Sequence, residues 1–251
     1  GEVVPDHFLV IASEDGLGLE DLPGIPSKDP AFGLDARWVP SSARADSELR
    51  GLAVADAPSV IVTHLSETVE SHADEILSRD DVQAMVERVK EQAPAVVRDV
   101  IPDVIALGTL QSALCGLLRE RVSVANMPRI IESIADHGKA SPDEYVEVVR
   151  VRLARQLRDA YAAPDGTLHV ITIDPRTEDQ IAAVGRENGL DTGGARRLTT
   201  RVRECLDRVQ AEGLDPVLLT RSDIRRRVRD LIGASVPDVV VLSHAEVLGA
   251  E

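Results

Sequence analysis

Between Gly24 and Val39 the chain reads Gly-Ile-Pro-Ser-Lys-Asp-Pro-Ala-Phe-Gly-Leu-Asp-Ala-Arg-Trp-Val, and no other stretch restricts the backbone so tightly. Pro26, Pro30 and Gly33 predict a succession of tight bends here, not a helix or a long strand. Asp29-Pro30 suits turn initiation: proline presets φ and the aspartate can bond back to the chain. The segment also holds Trp38, the sole tryptophan, and Phe32, one of two phenylalanines. On spacing alone, both rings read as plugs of a small local core, because large apolar side chains are mostly buried. Its place beside Gly33 also makes Phe32 a bulky ring carried on a turn.

Elsewhere helical and extended patterns alternate in a definite order. Phe8 to Ile11 predicts a short strand, and Gly51 to Asp56 another, with a polar loop or short helix over Ser41 to Arg50 between them. Asp56 is placed to cap a helix with Pro58 in its first turn and an apolar stripe of Ile61, Leu65, Val69, Ala73 and Ile76. Ser78 opens a further helix with a stripe of Val82, Met85, Val86 and Val89. Asn126-Met127-Pro128 opens another, closed at His137-Gly138. Ser141-Pro142-Asp143-Glu144 is a capping box that launches a long helix carrying Val146, Val149, Leu153 and Leu157. From there the character changes. Leu168 to Ile173, Val217 to Thr220 and Val239 to Leu242 read as strands, separated by helices over Gly194 to Gly213 and Ser222 to Ile232. Strands alternating with helices predict parallel pairing.

Composition excludes several classes of function. A formal charge of −15 argues against a general binder of nucleic acid or of anionic membranes, and 2% aromatics removes the stacking platforms of single-strand binders. Cys115 and Cys205 are far apart and form no C-x-x-C pair, which fits a reduced, cytosolic compartment. No run approaches the roughly 20 apolar residues of a membrane helix, so the stretch reads as soluble. The opening Gly1-Glu2-Val3-Val4-Pro5, without methionine, reads as a chain already under way, and so as a piece of something longer.

Few constellations suggest catalysis. Ser13 to Leu22 reads as an acidic surface loop, and its Gly16-x-Gly18 lacks the strand, third glycine and helix of a dinucleotide site. His64, Glu67, His72 and Glu75 invite a metal test, but residues 64 and 72 differ by about 80° around a helix and nothing completes the ligand set. A solvated helix face is the better account. No Gly-x-Ser-x-Gly elbow is present. Arg225, Arg226, Arg227 and Arg229 form a basic patch that reads as a solvated face with pairs such as Asp223 to Arg227, or as a contact for an acidic partner.

Asp29-Pro30-Ala31-Phe32-Gly33-Leu34, followed by Ala36-x-Trp38-Val39, resembles the Asp-Pro-Ala-Phe-Gly-Leu-x-Ala-x-Trp-Ile segment of the FHIPEP family, the export-gate proteins of flagellar and injectisome type III secretion. Val60-Ile61-Val62-Thr63-His64-Leu65, Leu107-Gly108-Thr109-Leu110-Gln111 and Pro216 to Thr220 followed by Asp223-Ile224-Arg225-Arg226 continue the likeness in order. The chain departs from the family pattern at Asp6, where glycine is usual, and at Val124-Ala125-Asn126, where Ile-Arg-Asp is usual.

The resemblance implies an α+β fold in several subdomains. A remnant of a split first subdomain (1–7 and 57–76) surrounds an inserted β-rich, aromatic-loop subdomain (8–56). A helical subdomain (77–157) and a C-terminal α/β subdomain with a short parallel sheet (158–251) follow. It implies a non-enzymatic docking platform on the cytoplasmic side of a bacterial inner membrane, without cofactor or metal. By the same likeness, the full-length protein forms a nonameric ring, receives export chaperone–substrate complexes and contacts other export-apparatus proteins, including the ATPase stalk. No nucleic acid is expected as a partner. The residues matching the family's chaperone dimple are Asp29, Phe32 and Thr63. Asp81-Val82-Gln83 and Val100-Ile101-Pro102 favour the flagellar branch, whereas Asp223-Ile224-Arg225-Arg226 leans toward the injectisome branch. The rival class is a hydrolase or metal enzyme, which would need a concave cluster of ionisable groups with perturbed pKa values.

Overall fold

A computed structural model describes residues 4–12, 18–98, 100–184, 189–236 and 239–248, so residues 13–17 of the acidic loop, with Gly16, lie outside the described residues. The chain divides into two compact units, 1–76 and 77–251.

The first unit is built on a four-stranded antiparallel sheet of β1 (His7–Ile11), β2 (Ile25–Lys28), β3 (Asp35–Pro40) and β4 (Ala53–Asp56), in the order β2-β3-β1-β4. Helix α1 (Arg44–Leu49) lies between β3 and β4, and α2 (Ala57–Ser71) and α3 (Ala73–Ile76) follow. The bends read from sequence between Gly24 and Val39 are instead a hairpin: two short strands flank one turn, with Ile25 opposite Trp38 and Lys28 opposite Asp35. Pro26 is accommodated because β2 is an edge strand.

Side chains alternate across the sheet. Leu9, Ala36 and Trp38 face Val60 of α2, while Val10, Val39, Leu22 and Ala43 form a core on the other side. Asp6, at the family's glycine position, has φ of +60°, a conformation open mainly to glycine and to short polar residues such as aspartate.

Asp56 caps α2 as its position predicts, its carboxylate accepting from the Ser59 backbone N–H at 2.8 Å. The stripe of α2 does not form a core, however. Ile61, Leu65, Val69 and Ile76 are all about half exposed or more, and Val60 is the buried residue of the helix. Helical spacing shows that a face is apolar; it cannot show that anything covers it. The helix also breaks at His72, before the predicted stripe reaches its end at Ile76.

The second unit begins with α4 (Arg79–Gln92), α5 (Pro94–Arg98), α6 (Leu107–Arg119), α7 (Met127–His137), α8 (Pro142–Arg152) and α9 (Ala154–Tyr161). Their apolar faces meet in one core that includes Val82, Leu110, Leu114, Ile130, Ile134 and Val149. Ser78 and Ser141 each form a two-way capping box, with Asp81 and with Glu144, so both starts fall where the caps predict. The single long helix expected after Ser141 is divided at Leu153, whose φ and ψ of −92° and 11° separate α8 from α9.

Beyond α9, a parallel sheet runs in the order β5 (Val170–Thr172), β6 (Val217–Thr220) and β7 (Val241–Ser243). Helices α10 (Pro175–Ala182) and α11 (Thr192–Gln210) connect β5 to β6, α12 (Arg225–Gly233) connects β6 to β7, and α13 (His244–Leu248) follows. Leu218, Ile181, Val202, Val228 and Ile232 make a second, separate core.

Charge joins these two cores. Arg225 is wholly buried, and its Nη1 lies 2.5 Å from Glu120 Oε2 while its Nε donates to Glu147 Oε2 at 2.7 Å. Arg150, also buried, reaches Glu120 at 3.1 Å and donates to the Val241 carbonyl at 3.1 Å. Its Nε sits 2.7 Å from Glu246 Oε1 without the direction of a hydrogen bond, so that contact is an ion pair of Coulombic character. Burial raises the Glu120 carboxyl, but hydrogen bonds and charge from Arg225, with Arg150 and Arg229, hold it net below its ordinary value. The basic patch read on α12 is therefore not one solvated face. Arg225 is interior, Arg226 pairs with Asp143, Arg227 donates to the Ala182 carbonyl, and Asp223 pairs with Arg221 instead of Arg227.

Removing one partner of such a cluster strands the others, so Arg225→Ala is expected to destabilise the 77–251 unit by about 3–5 kcal/mol in urea unfolding. A loss below about 1 kcal/mol would show that Glu120 and Glu147 rehydrate freely. The lowered Glu120 value has a definite sign: its contribution is complete above the ordinary 4.5 and disappears as pH falls through the lower folded value. Glu120→Gln should flatten the stability–pH curve below 4.5.

Candidate functional site

The hairpin turn between β2 and β3 holds its shape by its own hydrogen bonds. The Asp29 backbone N–H donates to the Leu34 carbonyl and the Gly33 N–H to the Asp29 carbonyl, both at 2.8 Å. The Asp29 carboxylate accepts from the Phe32 backbone N–H at 2.9 Å. Gly33 closes the turn with φ of +71° in open space, a conformation that costs a residue with a Cβ about 1–2 kcal/mol. Lys28 Nζ bonds Asp35 at 2.9 Å across the base.

The result separates the two rings of the segment. Trp38, on β3, is 3% exposed and belongs to the core, whereas Phe32 is 61% exposed and stands at the turn with Leu34, itself half exposed. The local-core reading thus holds for Trp38 and fails for Phe32, because residues 29–34 close on themselves and turn the ring away from the sheet. An exposed ring on a braced turn is the arrangement that a partner's apolar groups can cover at little ordering cost.

Asp29 and Thr63 take different positions. Asp29 is 5% exposed and its carboxylate braces the turn from within. Thr63 is exposed on α2, one turn beyond Val60 and on the same side of that helix. Val60 in turn packs near Ala36, two residues after Leu34. Among the described residues no hydrogen bond joins Thr63 to Asp29 or Phe32. Leu34 was not singled out from sequence, although its place directly after Gly33 in the turn was a usable signal.

His64 and His72 lie on the same helix without forming a cluster. His72 Nδ1 is 3.0 Å from the Thr68 carbonyl, the Thr68 hydroxyl donates to the His64 carbonyl at 2.7 Å, and Ser71 donates to Glu67. Among the described residues no three potential metal ligands converge, and no helix is long and apolar enough to cross a membrane.

Comparison with known proteins gives a consistent result. Residues 1–250 match the FHIPEP family. The flagellar biosynthesis protein FlhA of Yersinia enterocolitica is 35% identical over 250 residues, covering 98% of this chain and 36% of that protein. FlhA of Escherichia coli is 34% identical with the same coverage, so the chain spans about a third of these relatives. Among solved structures, the Chlamydia pneumoniae CdsV protein superposes with a TM-score of 0.82 at 29% identity, over 98% of this chain and 73% of that one. The nonameric EscV cytosolic domain of a type III secretion system shares the fold at a TM-score of 0.70 and 20% identity, over 97% and 74%.

The turn geometry sets two stability expectations. Asp29→Ala removes a buried charged acceptor and should cost about 1.5–3 kcal/mol by urea unfolding. Phe32→Ala should stay within about 0.5 kcal/mol, as exposed substitutions do. A loss of about 3–5 kcal/mol for Phe32→Ala would instead place the ring in a core.

Proposed function

The chain belongs to the FHIPEP family, and on that premise we propose that it is the cytoplasmic docking platform of a flagellar type III export gate, with Phe32 as the centre of its chaperone-binding surface. The observation that carries this reading is the exposed Phe32 ring on a turn braced by Asp29 and Gly33. Burying that ring under a partner's aromatic or leucine side chain gains about 1.5–3 kcal/mol. Thr63 supplies a hydroxyl at the rim, while Asp29 acts through the turn more than through direct contact. The platform is non-enzymatic: it presents surfaces, and the work of export is done by its partners.

The flagellar branch is supported by the FlhA relatives at 34–35% identity. Assembly into a nonameric ring is supported by likeness to the nonameric EscV cytosolic domain. The Chlamydia pneumoniae CdsV protein in its complex with CdsO, matched at a TM-score of 0.81, supports contact with further export-apparatus proteins, and we include the ATPase stalk among the proposed partners. We assign residues 1–7 and 57–76 to the remnant of a split first cytoplasmic subdomain, whose beginning lies in the part of the longer relatives that this chain does not span. That part covers the apolar face of α2, which is bare here. Hydrogen exchange along α2 should slow in the longer protein, and an unchanged rate would refute the assignment.

The central test is Phe32→Ala in binding to flagellar export chaperones. Affinity should fall about tenfold or more, with the unfolding midpoint preserved. Unchanged affinity in a folded variant would overturn the reading.

A further inference from the structure

The parallel sheet has two edges, and the chain treats them differently. On β7, the Val241 carbonyl and the Ser243 N–H turn away from β6, and side chains engage both. Arg150 and Arg225 donate to the carbonyl, and Glu246 accepts from the N–H. In the antiparallel sheet, the edge strand β2 contains Pro26, which has no N–H to offer. Strand β5 has neither protection.

The register defines what β5 leaves open. The Val217 N–H donates to the His169 carbonyl at 2.9 Å, and Val170 and Thr172 lie opposite Val217 and Leu219 in parallel pairing. In such a ladder, alternate residues of a strand bond to the same neighbour, so the backbone groups of His169, Ile171 and Ile173 face β6. The N–H and C=O of Val170 and Thr172 point to the open edge. Among the described residues, none of these four groups has a hydrogen-bond partner. Both side chains are exposed as well, Val170 at 43%, while Ile171 packs against the core. Four unpaired backbone groups beside two exposed β-branched side chains form a template for one more strand.

We propose that the β5 edge receives an extended segment of a partner protein as a fourth strand of this sheet, with a Lys or Arg at the end nearest His169. The charge preference comes from a recess of 410 Å³ at that end, lined by Tyr161, Pro164, His169, Leu214 and Asp215 among others. Among its described lining residues, Asp215 is the only Asp, Glu, Lys or Arg. Residues 163–175 add Asp165 and Asp174, and no lysine or arginine. Beyond the C-terminal end of β5, Arg196, Arg197 and Arg201 share a groove with Asp174 and Glu204, a near balance that favours neither sign. A helix cannot occupy the edge, because its backbone groups bond internally. A second copy of this chain is the poorer occupant, since two bodies of formal charge −15 repel at long range. The proposal stands whether or not the Phe32 turn binds chaperones.

The test titrates the isotope-labelled intact chain with the peptide Lys-Val-Thr-Val-Thr-Val and follows amide exchange by NMR. At saturation, exchange of the Val170 and Thr172 amides should slow about tenfold or more, with Ile171 unchanged. Thr172→Pro deletes an outward N–H without touching the bonds to β6, and should weaken binding about tenfold or more, whereas Thr172→Val should change it less than twofold. Asp215→Lys should weaken binding about threefold or more, and a peptide with Glu in place of the Lys should bind the native chain more weakly than the Lys peptide. Circular dichroism establishes that each variant is folded, and if Thr172→Pro is not, the exchange pattern of the native chain decides. Unchanged exchange at Val170 and Thr172 under saturating peptide would overturn the proposal. So would undiminished binding to folded Thr172→Pro, tighter binding of the Glu peptide, or self-association of the chain that Thr172→Pro abolishes.

Discussion

The buried cluster of Arg225, Glu120, Glu147, Arg150 and Glu246 is the interaction on which the larger unit depends. It lies between two apolar cores that share no members, one of helices α4 to α9 and one around the parallel sheet. Apolar contact is non-directional, so two such cores packed only through aliphatic side chains could slide against each other at little cost. Two guanidiniums placed among three carboxylates permit very few relative positions. Each departure leaves a charge desolvated and unpaired, at several kcal/mol. Arg150 extends this restriction to the sheet by donating to the Val241 carbonyl, and the Ser243 N–H donates to Glu246. The ends of β7 and the interior of α8 are therefore held by the same set of charges.

The first unit achieves rigidity by a different route and on a smaller scale. Its hairpin turn is too short to own a core, so its order comes from hydrogen bonds within residues 28–35. Asp29 contributes its N–H, its carbonyl and its carboxylate to them. A bulky ring can then be held in solvent without collapsing onto the sheet. Trp38 and Phe32 stand six residues apart in sequence, yet one anchors β3 and the other faces outward. The apolar face of α2 shows the same economy of contact: Val60 secures the helix to the sheet, and the remainder of the stripe stays open.

Local chemistry was legible along the chain. Asp56, Ser78, Asn126 and Ser141 each cap the helix their residue type predicts, because a cap needs only a side-chain oxygen within reach of an N–H three positions ahead. The three parallel strands could be read from β-branched runs, and the Pro/Gly punctuation located the turn that carries Phe32. The hairpin strands beside that turn were missed, since four residues containing proline have no extended signal until an edge position accepts them.

Tertiary structure decided what periodicity leaves open. The α2 stripe and the α4 stripe have the same helical spacing, but Val82 and Val86 are buried and Ile61 and Leu65 are not, because cover is supplied by other parts of the fold. Four arginines within five residues of α12 point in different directions, since each residue turns the helix by about 100°. Arg225 enters the interior, Arg226 meets Asp143 and Arg227 reaches the Ala182 carbonyl. Their carboxylate partners Glu120 and Asp143 are some 80 to 105 positions away in the chain. The sequence by itself determined the caps, turns and strand types, which depend on neighbours within four residues. Only the folded chain decided which charges are buried together and which apolar faces remain bare, because those depend on residues brought together from afar.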